Sequence, residues 1–69
     1  MKLHRFVVFA DRMRGFDRLE DAEEFARVNV PSVICERQLD HEGSALLVEI
    51  LRHDYLYDEK RREWRVMLA

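Results

Sequence analysis

The segment CERQLDHEGS, residues 35–44, places a thiol, two glutamates, an aspartate and a histidine within ten positions. A cysteine acts as a nucleophile only when its pKa is lowered and a base lies beside it. The histidines of the chain are His4, His41 and His53, and nothing in their spacing brings one of them to Cys35. We therefore interpret Cys35 as a small buried hydrophobic residue.

A metal site in the same segment would have to use the three consecutive residues Asp40, His41 and Glu42. Adjacent side chains in a turn seldom converge on one ion, and no pair of histidines or cysteines shows the close spacing of zinc ligands. We predict no metal and no other cofactor, and we interpret the segment as the end of a strand followed by a polar turn.

Other patterns that signal an enzyme are missing from the sequence. Gly15 and Gly43 are its only glycines, which is too few for a glycine-rich loop around a phosphate. The acidic residues show no pairing that suggests general acid and base catalysis. The sequence therefore predicts a protein without catalytic activity.

Two clusters of basic residues form a candidate nucleic-acid site. The candidate residues are Arg12, Arg14, Arg61, Arg62 and Arg65. The second cluster is close in sequence to aromatic residues, and basic charge combined with aromatic rings can hold a single strand by stacking. However, acidic residues in the same segment oppose this charge, and Trp64 alternates with Val66 and Leu68, as core residues of a strand do. A solvated charged loop is thus the simpler interpretation.

Length and composition limit the kind of protein that this can be. A chain of 69 residues has room for one domain, residues 1–69, and its formal charge of −2 does not favour a polyanionic partner. The single cysteine excludes a disulfide within the chain and indicates a reducing compartment, so we expect a cytoplasmic protein. No apolar run has the length of a signal peptide or a membrane span.

The clearest element is a helix over residues 17–29. Asp17 and Glu20 have the spacing of a capping box, and apolar residues recur at helical spacing after them. Pro31 disfavours helical backbone at the preceding residue and ends the helix. A strand over residues 2–10 and a loop over 11–16 precede this helix.

The second half of the chain is predicted as strands that are joined by polar segments. The predicted elements are a strand at 32–38, a turn at 39–43, a strand at 44–52, a loop at 53–63 and a strand at 64–69. Within the loop, residues 55–57 also fit an extension of either neighbouring strand. The fold class is therefore α+β, a four-stranded β-α-β-β-β sheet with the helix on one face. If the first two strands are parallel, the helix forms a right-handed crossover. The alternative is β-α-β-α-β, with residues 44–60 helical, because their apolar residues also fit a helical stripe.

The predicted sheet has apolar side chains on both faces, whereas one helix covers only one face. The residues on the uncovered face are Val7, Phe9, Leu47 and Leu51. Leaving four such side chains in water forgoes about 6–12 kcal/mol, as much as the stability of a typical domain. We therefore expect a homodimer formed through the helix-free face, and a small binding or assembly module with an unknown protein partner. The alternative is a nucleic-acid-associated accessory protein; no membrane association is expected.

Overall fold

The computed structural model describes residues 3–67, which form five strands and one helix. These elements are β1 (Phe6–Phe9), β2 (Met13–Phe16), α1 (Leu19–Val28), β3 (Ser32–Leu39), β4 (Ala45–Asp58) and β5 (Glu63–Met67). The sheet order is β2-β1-β3-β4-β5, and every pair of neighbouring strands is antiparallel. The predicted α+β class is confirmed. Positions 2, 68 and 69 of the predicted first and last strands lie outside the described residues.

The sheet has five strands instead of four because the predicted loop at 11–16 contains β2. The chain turns back after β1, and the amide of Ala10 donates a hydrogen bond of 3.1 Å to the carbonyl oxygen of Arg12 in this turn. The chain therefore enters α1 after this reversal, and β3 runs antiparallel to β1, with Val8 opposite Ile34. The right-handed crossover between parallel strands does not occur.

The helix begins two residues later than predicted. Its N-cap residue is Arg18, whose side chain makes no capping hydrogen bond. The prediction of Asp17 as the N-cap was wrong, because its Oδ1 lies 3.0 Å from Nδ1 of His4, across the chain. Glu20 and Asp21 lie in the first turn, where their negative charges suit the positive end of the helix dipole.

Two side-chain hydrogen bonds lie at the C-terminal end of α1, and the second of them joins the helix to β3. The amide nitrogen Nδ2 of Asn29 donates to the carbonyl oxygen of Phe25 at 2.8 Å, and the hydroxyl of Ser32 donates to that of Ala26 at 2.8 Å. Carbonyl groups of the last helical turn lack the usual amide donor four residues further on. These two bonds, together with the bond from the amide of Asn29 to the carbonyl oxygen of Ala26, satisfy two such groups. Ser32 is buried, and its bond fixes the start of β3 beneath the helix.

The core lies between α1 and one face of the sheet. Its buried members are Phe6, Val8, Ala22, Ala26 and Ile34. Ala22 and Ala26 present only methyl groups, so the helix backbone can approach the sheet closely. Phe16, Leu19, Phe25 and Leu51 surround this cluster and are partly buried. The helix packs on β1, β2 and β3, and leaves β5 and most of β4 uncovered.

The long strand β4 confirms the predicted strand at 44–52 and excludes the alternative in which residues 44–60 are helical. The predicted loop at 53–63 is largely strand, because Tyr55 and Tyr57 pair with Val66 and Trp64 of β5. Aromatic and β-branched residues favour paired strands, and this preference prevails over the charged residues around them. At about 3.3 Å per residue, the 14 residues of β4 account for most of the 48 Å length of the molecule.

Two parts of the molecule share β4. Residues 45–53 of β4 pair with β3, and residues 54–58 pair with β5. We call residues 3–53 the body and residues 54–67, the hairpin of β4 and β5, the arm.

A β-bulge in β4 changes which residues face the helix. Ile34 lies opposite Leu51, whereas Cys35 lies opposite Glu49, so Ile50 is the extra residue between them. Leu51 therefore shares the face of Ile34 and packs against the core. The expectation that Leu47 and Leu51 share a face was wrong, because one inserted residue reverses the order of faces beyond it.

Candidate interaction surfaces

The helix-free face keeps two of the four residues that were predicted for an interface. Phe9 and Leu47 lie on it and are exposed. Val7 also lies on it but is only 6% exposed, because other residues of the same subunit cover it. Leu51 faces the helix as a result of the bulge, so its assignment to this face was wrong.

Three further apolar side chains belong to this surface and were missed from the sequence. Met13 lies opposite Phe9 in the β1–β2 hairpin and is exposed. Leu39 lies on the same face at the end of β3, and Leu3 borders the groove described next. Met13 was missed because a strand of four residues next to a turn has no clear periodicity. We call Phe9, Met13, Leu39 and Leu47 the apolar patch of the helix-free face.

A groove of about 270 Å³ crosses the helix-free face. Its lining residues are Leu3, His4, Val7, Met13, Gly15, Arg37 and Leu47. The ring of His4 lies over Gly15, where a Cβ atom would come within 2.7 Å of His4 Cγ. Nε of Arg37 donates to the carbonyl oxygen of His4 at 3.0 Å and holds this segment on the sheet. The polar groups of the groove are thus engaged in holding residues 3–5 in place.

Cys35 lies buried on the helix-free face, opposite Glu49. Burial raises the pKa of its thiol, and the nearby carboxylate of Glu49 raises this pKa further, whereas Arg52 acts in the opposite direction. A raised pKa reduces the thiolate fraction at neutral pH, which disfavours nucleophilic chemistry.

The turn that follows β3 is held by Asp40. Its Oδ1 accepts hydrogen bonds from the amides of Glu42 and Ser44, each at 2.8 Å. Gly43 has a φ of +84°, a backbone conformation that glycine adopts without strain. The carboxylate of Asp40 therefore has a local structural role in this turn.

The candidate nucleic-acid residues lie in two separate places. Arg12 and Arg14 belong to the β1–β2 hairpin at one edge of the sheet, and the others belong to the arm at the opposite edge. The guanidinium of Arg14 lies 5.2 Å from the ring centre of Phe16. The sheet does not bring the two clusters together.

Within the arm, the candidate arginines have acidic neighbours. Nη1 of Arg61 lies 3.9 Å from Oε1 of Glu63, and Nη1 of Arg65 lies 3.6 Å from Oδ2 of Asp58. Arg62 is exposed in the turn with a φ of +54°. Arg65 and Trp64 are consecutive in β5, so their side chains point to opposite faces of the arm. This geometry separates the basic charge of Arg65 from the aromatic rings.

Four side chains form an apolar surface on one face of the arm. Tyr55 lies opposite Val66 and Tyr57 opposite Trp64, and all four are exposed. The rings of Tyr57 and Trp64 are 5.1 Å apart and meet edge to face. We call Tyr55, Tyr57, Trp64 and Val66 the aromatic face of the arm.

The prediction that Trp64 belongs to the core was wrong, since 69% of it is exposed. Alternation shows which residues share a face, but it does not show whether another element covers that face. The signal for the aromatic face was present in the sequence as two alternating pairs, Tyr55 with Tyr57 and Trp64 with Val66.

The chain matches no protein-family model, and no curated protein or solved structure is detectably similar to it. Within residues 3–67, no helix has the length and apolar character needed to cross a membrane. The same residues contain no group of three or more His, Cys, Asp or Glu side chains that could hold a metal ion.

Proposed function

We propose that this protein is a small cytoplasmic binding or assembly module without catalysis, which forms a homodimer through its helix-free face. The observation that carries this proposal is the apolar patch formed by Phe9, Met13, Leu39 and Leu47. These side chains come from four strands of one sheet, so a second sheet could cover them together. Two-fold homodimers are the commonest assemblies of soluble proteins.

The energetics support a self-partner, with two of the four residues different from those that the sequence suggested. Covering partly exposed leucine, methionine and phenylalanine side chains contributes about 25 cal/mol for each Å² removed from water. Val7 and Leu51 contribute nothing new, since each is already packed within one subunit. Met13 and Leu39 replace them in the proposed interface.

Sedimentation equilibrium at micromolar concentration tests this proposal. The chain offers a matched pair of adjacent residues in β4, because Leu47 is 40% exposed on the helix-free face and Leu46 is 41% exposed on the other face. We expect Leu47→Glu to halve the particle mass, because it places two charges in the symmetric interface. Leu46→Glu should leave the mass unchanged, and far-UV circular dichroism verifies that both variants fold.

Two results would overturn the proposed homodimer. One is a single 8.4 kDa species for the unmodified chain. The other is an equal effect of the two glutamate substitutions on the mass, which would show that any added charge acts in the same way.

A second candidate is a nucleic-acid-associated accessory protein, which the exposure of Trp64 favours. Its candidate residues remain Arg12, Arg14, Arg61, Arg62 and Arg65. Stacking on exposed rings can hold a single strand, and affinity would then fall steeply with salt. Fluorescence polarisation with a labelled single-stranded oligonucleotide tests this function, and the absence of binding at 50 mM salt would exclude it.

A further inference from the structure

We propose that the groove on the helix-free face is a binding site for a small free carboxylic acid with an apolar body, whose carboxylate binds to Arg37. This inference goes beyond the proposed function, because all the residues that line the groove come from one subunit and the site does not require the homodimer. It rests on the surroundings of Arg37, on the apolar walls of the groove and on its volume.

Arg37 lines the groove and is not neutralised by a described carboxylate. Among residues 3–67, six arginines lie within 4 Å of a carboxylate oxygen, and Arg37 is not one of them. Glu49 lies on the same face but bonds to Arg52. Arg37 is partly buried, and a charge that is partly removed from water is stabilised by an opposite charge. The groove therefore favours an anion at this guanidinium.

The guanidinium of Arg37 is held in place and still has donors for a ligand. Its Nε donates to the carbonyl oxygen of His4 at 3.0 Å, and its backbone amide donates to the carbonyl oxygen of Arg5 at 2.7 Å. Neither bond uses Nη1 or Nη2, the two nitrogens at the end of the side chain. A carboxylate can accept two parallel hydrogen bonds from such a pair of nitrogens. The geometry thus suits a carboxylate better than a single-point anion.

The rest of the lining is mostly apolar. Val7 and Gly15 lie opposite each other in the β1–β2 hairpin and form the floor of the groove. Leu3, Met13 and Leu47 surround this floor. None of the described residues that line the groove is acidic, so nothing among them repels a carboxylate. Binding sites for small molecules combine such apolar walls with a few polar groups that fix the orientation of the ligand. The walls therefore favour an acid that also carries an apolar body.

The volume of the groove limits the size of this acid. About 270 Å³ corresponds to about nine water-sized atoms at roughly 30 Å³ each. This is the size class of 3-phenylpropionate, whereas a peptide strand would be too large. The occupant is therefore a free small molecule.

Heteronuclear NMR of isotope-labelled protein tests the site with 3-phenylpropionate as the probe. The chain has two glycines, and only Gly15 lines the groove. We expect titration to about 10 mM to shift the amide signal of Gly15 and to leave that of Gly43 unchanged, since ligands of this size bind in the millimolar range. Acetate lacks the apolar body and 3-phenylpropanamide lacks the charge, so each should bind at least tenfold more weakly. Equal shifts of the two glycines, or equal binding of the three compounds, would overturn the inference.

Arginine variants on the same face provide a matched comparison. Arg37→Gln removes the charge from the groove but keeps a side-chain amide that can donate to His4, whereas Arg52→Gln removes the charge of an arginine that is already paired with Glu49. We expect Arg37→Gln to weaken binding at least tenfold and Arg52→Gln to weaken it by less than twofold. Arg37→Lys keeps the charge without the fork of donors and should weaken binding by an intermediate factor. Far-UV circular dichroism verifies the fold of each variant. Equal losses for Arg37→Gln and Arg52→Gln would show that net charge attracts the probe, and would contradict the site.

A variant that keeps the groove separates this inference from the proposed homodimer. Leu39 belongs to the apolar patch but does not line the groove. Leu39→Lys therefore places like charges across a two-fold interface without changing the site. If the homodimer covers the groove, the probe binds to Leu39→Lys alone, and if no homodimer forms, it binds to both proteins. Either result supports the site, provided that Arg37→Gln in the Leu39→Lys background weakens binding at least tenfold. If neither protein binds the probe, the site is wrong, whereas sedimentation still decides the homodimer independently.

Discussion

The body and the arm share one strand, yet they bury their side chains very differently. In the body, Val8 and Ile34 are fully buried beneath the helix. In the arm, Val66 and Trp64 lie in an equally regular pair of strands and remain exposed. The backbone pairing is similar in both, so the difference arises from the helix, which packs on three strands and stops before the arm.

This comparison shows that strand pairing and burial are separate questions in a small sheet. Hydrogen bonds between β4 and β5 pair the facing backbone groups of the arm without covering its side chains. The body obtains its stability from the layer formed by α1, because burial of apolar area dominates folding free energy. The arm lacks such a layer, so association with another molecule can change its stability.

The largest expected effect comes from making the same substitution in both parts. Val8→Ala removes two methyl groups from the core and should lower the free energy of unfolding by about 2–3 kcal/mol. Val66→Ala should change it by less than about 0.5 kcal/mol, because the side chain is exposed. Urea unfolding below 1 µM, where association is weak, measures both values. Equal losses would show that the arm is as well packed as the body.

A smaller effect is expected at Gly15, where the body is closely packed on its helix-free face. Gly15→Ala places a methyl group against the ring of His4 and should cost about 1–2 kcal/mol. Removing the ring should relieve this overlap, so the added cost of Gly15→Ala should largely disappear in a His4→Ala background. Thermal unfolding of the four proteins in this cycle measures the coupling, and purely additive losses would contradict the contact.

The smallest effect concerns the bond that anchors β3 to the helix. Ser32→Ala leaves the carbonyl oxygen of Ala26 without its hydroxyl donor and should cost about 1 kcal/mol. Ser44 offers a control, since it is exposed and its bonds to Asp40 use backbone atoms. Chemical unfolding should show almost no change for Ser44→Ala. A similar loss of unfolding free energy at both serines would mean that the buried hydroxyl of Ser32 makes no specific contribution to the contact between α1 and β3.

Elements with strong local signals were predictable from the sequence. The helix was located to within two residues by its apolar spacing and by Pro31, and the turn at Gly43 was located by its residue types. β2 was not predicted, because MRGF carries no alternation and its formation depends on pairing with β1. The N-cap was missed because the carboxylate of Asp17 lies beside His4, a contact between residues distant in sequence.

The candidate surfaces were only partly predictable. Phe9 and Leu47 follow from alternation, whereas Leu51 was misplaced by a bulge that sequence periodicity does not reveal. The exposure of Trp64 could not be derived, because the same pattern describes a strand with a cover and a strand without one. The face that a residue occupies follows from its position along the strand. Whether that face is exposed to water depends on how much of the sheet the helix covers.

The extra residue at Ile50 makes the tolerance of β4 to deletions depend on position. Ile34 lies opposite Leu51 and Cys35 opposite Glu49, so removal of Ile50 would join two segments that are already in register and would leave Tyr55 and Tyr57 on the side of the helix. Elsewhere in β4 there is no extra residue to lose, so a single deletion would exchange inward and outward positions on one side of it. Deletion of Ile50 should therefore be far less harmful than deletion of a residue further along this strand.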